Sequence, residues 1–213
     1  MHTNESSRTH GLATCAFAFA IFATQVGGAE AAESPDENET QSVTASATIK
    51  HCDSQQPIGR ARLTERASEE GVKVVEVEIG IRGLTEGKHA VHIHETGQCE
   101  PCSAAKGHFD PGPNSNSSPD GNHPFHAGDL VNIDINDLSG DLGEEDGTPL
   151  GSGRLRTLTT RITLSDGPLS LFDADGSAFI IHVDPDSYCP GGEEAGCAGG
   201  ARAACGVIVK DGS

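Results

Sequence analysis

"KHAVHIHETGQCEPC", residues Lys88–Cys102, packs three histidines and two cysteines into one short stretch. Its first half alternates. On a strand, where successive side chains point to opposite faces, Val91 and Ile93 share one face and His92 and His94 the other. Two imidazoles on one strand face can share a metal ion, but an H-x-H pair alone is weak evidence, because same-face histidines can simply be solvated. The second half ends in a CxxC, Cys99 and Cys102. Thiol redox chemistry at such a motif needs a strand-to-helix turn with the first thiol at a helix N-terminus. Gly97, Pro101 and the Gly/Pro-rich stretch that follows supply no such helix, so a stapled loop is the stronger reading.

The strand pattern continues on both sides. "SVTASATIK" (42–50), Ile58–Thr64 and "VKVVEVEIGI" (72–81) alternate or are β-branched. "DLVNIDIN", "GRLRTLTTRITL", "SAFIIHVD" and "ACGVIVK" follow downstream. The sum is about eight short strands with no amphipathic helix, the pattern of an antiparallel sandwich or barrel. With 27 Gly, 11 Pro, no Trp and only 4% aromatics, the composition suits short strands joined by many turns. Two connections, 96–128 and 184–203, are too long for hairpins. Ordering such loops costs about 1–2 kcal/mol of backbone entropy per residue, so they are expected to be functional or tied down. The acidic, Gly-rich 138–153 reads as a solvated excursion without chemistry.

The N-terminus reads as an export signal over 1–32. A weakly basic start precedes the apolar run Leu12–Thr24, which is short for a membrane span, and the small-residue stretch "VGGAEAAE" follows. Residues 33–41 read as a disordered acidic leader, and 42–213 as the single folded domain. No membrane span is expected once the signal is cleaved. Cys15 leaves with the signal, and six cysteines remain: Cys52, Cys99, Cys102, Cys189, Cys197 and Cys205. An even number in an exported protein points to disulfides and to a periplasmic or extracellular location. The net charge of −18 argues against nucleic acid as a partner, since phosphate binding needs a basic footprint. Any anionic substrate would need a local positive device.

Seven of the ten histidines fall between His89 and His182, beside the two long loops. "GHFDP" carries His108, "HPFHAGDL" carries His123, His126 and Asp129, and "IIHVDPD" carries His182. The H-x-x-H-x-x-D arrangement mixes imidazoles with a carboxylate, a donor set that suits zinc. Singly, each histidine has an ordinary reading as a core or solvated residue. So many beside the same loops do not.

"GLTEGKHAVHIHE", "GHFDP", "HAGDL", "IIHVDPD" and "GGARAACGVI" occur in the order and approximate spacing of the copper/zinc superoxide dismutase family, which the chain resembles from about Val43 to Lys210. The resemblance implies an eight-stranded Greek-key β-sandwich or flattened barrel, with the metals under two long functional loops. It implies copper bound by His92, His94, His108 and His182. Zinc would be bound by His108, His123, His126 and Asp129, with His108 shared. His123 departs from the family pattern, whose middle zinc histidine lies well before the H-x-G-D motif; here that stretch is "NSNSSPDGN". Either His123 completes the site from a rearranged loop or zinc binding is weakened, which would leave a copper-only protein. The H-x-x-H-x-x-D spacing favours ligation. Asp186 matches the carboxylate that orients one copper and one zinc histidine, and Arg202 the arginine that attracts superoxide beside the copper. Cys99–Cys205 matches the family disulfide. That leaves Cys189–Cys197 as a clip within the second loop and Cys52–Cys102 as the remaining pair, both beyond the common pattern. His89 is read as structural.

The implied activity is dismutation of superoxide to oxygen and hydrogen peroxide, with Arg202 and His108 as the residues acting on substrate and proton. The alternative is an exported copper-binding or copper-buffering protein on the same fold. Family members occur as monomers and dimers, so a homodimer is allowed.

Overall fold

A computed structural model describes residues 42–112, 123–136, 142–190 and 195–212. The expected signal, the acidic leader and Cys15 lie outside the described residues, as do parts of both long connections. The strands in chain order are β1 (Val43–His51), β2 (Pro57–Ala67), β3 (Lys73–Thr85), β4 (Gly87–His89), β5 (Val91–His94), β6 (Ile133–Ile135), β7 (Glu144–Glu145), β8 (Thr148–Thr159), β9 (Ala178–His182), β10 (Arg202–Val207) and β11 (Val209–Lys210). A 3₁₀ turn, Cys102–Ala105, is the one helical element among the described residues. No helix there is long and apolar enough to cross a membrane.

Nine strands form one antiparallel sheet in the order β5-β9-β10-β1-β2-β3-β8-β7, with β11 alongside the start of β1. β4 and β6 form a separate pair, and Asn136, the residue after β6, bridges to Ser152 of β8. The fold is all-β, and the sheet does not close into a barrel among the described residues. Alternation explains the core. In β3, Val75, Val77, Ile79 and Ile81 are buried, while Glu76 and Glu78 turn outward toward Arg66 and Arg156 on the neighbouring strands. β1 and β2 supply Ala45, Ala47, Ile49, Ala61 and Leu63 to the same interior.

The strands outnumber the expected eight because two runs break and a further short strand, β7, forms within 138–153. "KHAVHIHE" splits at Ala90, whose N–H donates to the Asp184 carbonyl and whose carbonyl accepts from His182 N. β4 therefore pairs with β6 and β5 with β9. "ACGVIVK" splits at Ile208, which donates to the Ser177 carbonyl instead of continuing the ladder. The stretch expected to be a solvated excursion is corrected in part: Thr148–Gly153 belongs to β8, and β7 pairs with its start. Asp146 and Gly147 both have positive φ, 49° and 77°, the two-residue turn geometry that closes a hairpin.

Three disulfides join Cys52 to Cys102, Cys99 to Cys205, and Cys189 to Cys197. The first two fasten the connection after β5 to β1 and β10. The third closes a short ring in the connection between β9 and β10. A buried carboxylate does similar work at the far end of β2: Glu65 accepts from Leu164 N (2.5 Å), Ser165 N (3.0 Å) and Ser165 Oγ (2.6 Å), and so anchors the segment after β8.

Candidate metal centre

β5 carries His92 and His94, and its antiparallel partner β9 ends in His182. All four residues of β5 are buried, not only the apolar pair. Loop backbone pairs along the edge of β5 that β9 leaves open. Phe109 N donates to Ile93 O (2.8 Å), Ile93 N to Gly128 O (2.9 Å), and Gly128 N to Phe109 O (2.8 Å). Single bridges also set His94 against His108 and His92 against Asp129. Gly128 makes the approach possible, because a Cβ on it would stand 2.2 Å from the Ile93 oxygen.

This packing gathers the histidines. The His92 ring lies 4.1 Å from His108 and 4.9 Å from His182, and His94 lies 4.9 Å from His108. His108 is in turn 5.1 Å from His126 and 5.5 Å from His123. Among the described residues, two groups have donor atoms within 4.8 Å of one another: His92, His94, His108 and His182, and then His92, His108, His123 and Asp129. All of these residues are buried. His126 is outside the second group, yet its Nδ1 stands 3.1 Å from Asp129 Oδ2.

Two carboxylates organise the rings. Asp129 Oδ1 accepts from His108 Nδ1 at 2.7 Å, and Oδ2 stands 3.2 Å from His123 Nδ1, out of line for a hydrogen bond. Asp186 receives His92 Nε2 at 3.0 Å and His123 Nε2 at 2.8 Å. Asp186 is itself fixed by Asn132, whose Oδ1 accepts from Asp186 N (2.8 Å) and whose Nδ2 donates to Asp186 O (2.9 Å). Asn132 had no signal in the sequence beyond its place in an alternating strand run. His89 stands apart from the cluster, with its ring nitrogens 2.8 Å from the carbonyls of Thr85 and His182.

The donor chemistry fits metal ions. Burial, reinforced by the charges of His108 and Arg202, lowers the His94 pKa well below its ordinary value. Burial likewise pushes His182 down to about 3 and His108 to about 4, the latter against the pull of Asp129. Neutral imidazoles at neutral pH leave lone pairs free for a metal. His123 goes the other way, to about 9, because its contacts with Asp129 and Asp186 together outweigh burial. Burial raises both carboxylates, but the imidazoles against them win and hold them far below the usual range. His94 Nε2, His123 Nδ1 and His126 Nε2 are buried without hydrogen-bond partners. Native proteins seldom leave such atoms unsatisfied without a bound ion or water.

Arg202 stands opposite His182 in the β9–β10 register. Its Nη1 donates to Cys102 O at 2.6 Å and its Nη2 to Lys106 O, which also accepts from His94 Nδ1 at 2.8 Å.

Residues 57–208 match the family model for copper/zinc superoxide dismutase. The chain belongs to the copper/zinc superoxide dismutase family. Among its relatives in that family, "Superoxide dismutase [Cu-Zn] 2" of Aquifex aeolicus is 38% identical over 157 residues, covering 71% of this chain and 78% of the relative. "Superoxide dismutase [Cu-Zn]" of Deinococcus radiodurans is 36% identical over 146 residues, 62% of this chain and 69% of the relative. The solved structure of a SOD-like protein from Bacillus subtilis superposes with a TM-score of 0.56 at 24% identity, covering 77% of this chain and 97% of that one. That likeness speaks to the fold. Family membership accounts for the two adjoining donor groups, since copper and zinc are the family's metals.

Proposed function

We propose that this protein is a superoxide dismutase, in which superoxide disproportionates with protons to oxygen and hydrogen peroxide. The observation that carries this reading is a pair of donor groups that share His108. His108 Nδ1 is directed at Asp129, which leaves Nε2 for the group formed by His92, His94 and His182. In this reading the all-nitrogen group holds copper. His108, His123, His126 and Asp129 hold zinc. The second donor group also contains His92, but His92 belongs with the copper set because Asp186 occupies its Nε2 and its Nδ1 stands 3.2 Å from His182 Nε2. Copper supplies the one-electron acceptor and donor that dismutation requires, and redox-silent zinc supplies a fixed positive charge.

The chain's own residues do the rest. Asp186 receives the Nε2 atoms of His92 and His123, which directs each Nδ1 to the interior of the cluster, and His123, whose raised pKa keeps it protonated at neutral pH in the metal-free protein, would release a proton on binding zinc. In this reading His108 Nε2, the nitrogen not engaged by Asp129, would take up a proton and return it during turnover. Arg202 presents a cation beside His182 on a chain of net charge −18, the local positive device that an anionic substrate needs. Three disulfides belong with an oxidising compartment, and export is part of this reading.

Metal analysis of the purified protein alongside a superoxide-dismutation assay tests the proposal. Bound copper and zinc with rapid turnover is the expected result. Tightly bound copper with negligible turnover would favour copper buffering instead, and a protein that binds neither metal would end both readings.

A further inference from the structure

On the outer face of the sheet, side chains of β2, β3 and β8 stand in cross-strand rows. Thr64, Glu76 and Leu158 form one row, Arg62, Glu78 and Arg156 the next, and Arg60, Gly80 and Arg154 the third. In the first two rows the middle strand supplies a carboxylate. Glu76 pairs there with Arg66 and Arg156, and Glu78 stands 3.7 Å from Arg156. In the third row the middle residue is a glycine. The backbones of Arg60 and Arg154 therefore flank an empty position about 9–10 Å across, two strand spacings. Arg82, two residues further along β3, points to the same face.

Among the described residues, none of these three arginines makes an ion pair. All three are exposed, and a Cβ on Gly80 would meet nothing within 4 Å. A chain with 32 acidic residues against 14 basic ones thus leaves three guanidinium groups around an open floor without a carboxylate partner. They line a cleft of about 1090 Å³, together with Asp134, Asn136 and Ser152. No residue of the metal centre lines it.

Planar guanidinium forks grip oxyanions through paired hydrogen bonds. Three forks around one point offer more donors than the two oxygens of a carboxylate use. They match a phosphate monoester, which carries three terminal oxygens and nearly two negative charges at neutral pH. Gly80 lets such a group descend to the sheet where any side chain would stand in its way. The cleft is larger than a phosphate fills, in the range of small-molecule sites. Its hydroxyl, amide and carboxylate lining offers donors and acceptors to sugar hydroxyls.

We propose that this cleft binds a phosphorylated sugar. Arg60, Arg82 and Arg154 hold the phosphate above Gly80, and Asp134, Asn136 and Ser152 receive the hydroxyls. The site depends neither on the metals nor on dismutation.

The test is calorimetric titration of the metal-loaded full chain with glucose 6-phosphate, inorganic phosphate and glucose, at physiological ionic strength so that loose charge attraction is screened. Glucose 6-phosphate should bind more tightly than inorganic phosphate, glucose should not bind, and the melting temperature should rise with glucose 6-phosphate concentration. Arg60→Gln with Arg154→Gln should weaken binding about tenfold or more, the loss expected for hydrogen bonds to a charged group. Arg62→Gln, one row away, should leave it unchanged. Asn136→Ala should weaken glucose 6-phosphate and spare inorganic phosphate. All the substituted positions are exposed, so each variant should melt with the parent when no ligand is present.

Absence of binding at physiological ionic strength would overturn the proposal. So would binding that survives the double arginine variant or falls equally with Arg62→Gln, since either means diffuse charge rather than a site. Equal affinity for inorganic phosphate and glucose 6-phosphate would overturn the assignment of a sugar. Dismutation should be the same in all of these variants, and a parent protein without that activity would refute the functional reading while leaving this titration to decide the cleft.

Discussion

Gly128→Ala puts the construction of the site to a direct test. The added methyl would stand 2.2 Å from Ile93 O, 3.1 Å from the Ile93 carbonyl carbon and 3.2 Å from Phe109 Cβ, whereas ordinary contact begins at 3.4 Å. The obstruction is backbone on the innermost strand of the site, so it has no flexible end to swing away. Relief requires the 128 segment to lift from β5 by about an ångström, which breaks Ile93 N to Gly128 O and Gly128 N to Phe109 O. Two hydrogen bonds at about 1 kcal/mol each, with about 1–3 kcal/mol of overpacking strain, give a loss of about 3–5 kcal/mol. The same movement separates His94, His108 and Asp129, so metal retention should fall with stability. Equilibrium urea unfolding of the metal-free protein measures the first effect, and metal content after dialysis the second. Gly80→Ala is the control: a Cβ there meets nothing within 4 Å, and relief of glycine's entropy should leave that variant unchanged or up to about 1 kcal/mol more stable. If Gly128→Ala unfolds within about 1 kcal/mol of the parent, well short of the overpacking and hydrogen-bond costs combined, and keeps its metals, the close-approach argument is wrong.

Asp186→Asn keeps the side chain's shape but turns one of the two oxygens that receive His92 and His123 into an N–H donor, so metal affinity should drop about 10–100-fold in chelator competition with the fold intact; undiminished affinity would refute its orienting role. Arg202→Glu should slow dismutation at low ionic strength by about tenfold or more and flatten or invert its salt dependence, and rates that keep the parent's salt profile would count against guidance by this residue. Glu65 gives a pH prediction away from the metals. Burial raises its pKa, but its hydrogen bonds from Ser165 and Leu164 and the charge of Lys73 outweigh that and lower it. A carboxylate with a depressed folded pKa contributes stability that is present above its unfolded pKa and lost as pH falls through the folded one. Glu65→Gln should therefore cost about 1–3 kcal/mol at neutral pH and converge with the parent in acid, as read from urea midpoints across pH; parallel curves would refute the assignment.

The period of two made His92 and His94 legible as a same-face pair, and the alternation of Val72–Ile81 gave β3 from its start to Ile81 but not its end at Thr85. The break at Ala90 was not legible, because the run alternates straight through it; only the hydrogen bonds between Ala90 and the end of β9 interrupt the strand. The Asp146–Gly147 turn had a recognisable dipeptide, but the acidic composition around it drew the reading toward a solvated excursion. At the site, His123 shows where spacing runs out. Three residues before His126 is compatible with ligation or with a weakened site. What distinguishes its environment is Asp186, 63 residues away in sequence, which receives its Nε2 and turns Nδ1 toward Asp129. The Cys102 carbonyl that receives Arg202 could not have been singled out at all, since every residue has one and only the fold brings this one to the guanidinium.

The site's cross-links fall where its scaffold is weakest. β5 and β9 hold His92, His94 and His182 on a hydrogen-bonded ladder, but His108, His123, His126 and Asp129 come from connecting segments. Each ordered loop residue costs about 1–2 kcal/mol of backbone entropy, and a sheet ladder offsets that cost only where strands run side by side. Here the ladder is replaced by other ties. Two disulfides pin the segment after β5 before His108 is reached, Asp186 joins the segment after β9 to the rings of His92 and His123, and Asn132 ties Asp186 to the strand run that follows Asp129. Cross-links of this kind act chiefly by restricting the unfolded chain, so they favour an assembled donor set before any ion is bound. It follows that reduction of the disulfides should weaken metal binding more than loss of a single ring contact does, and that the carboxylate ties should matter most in the reduced protein.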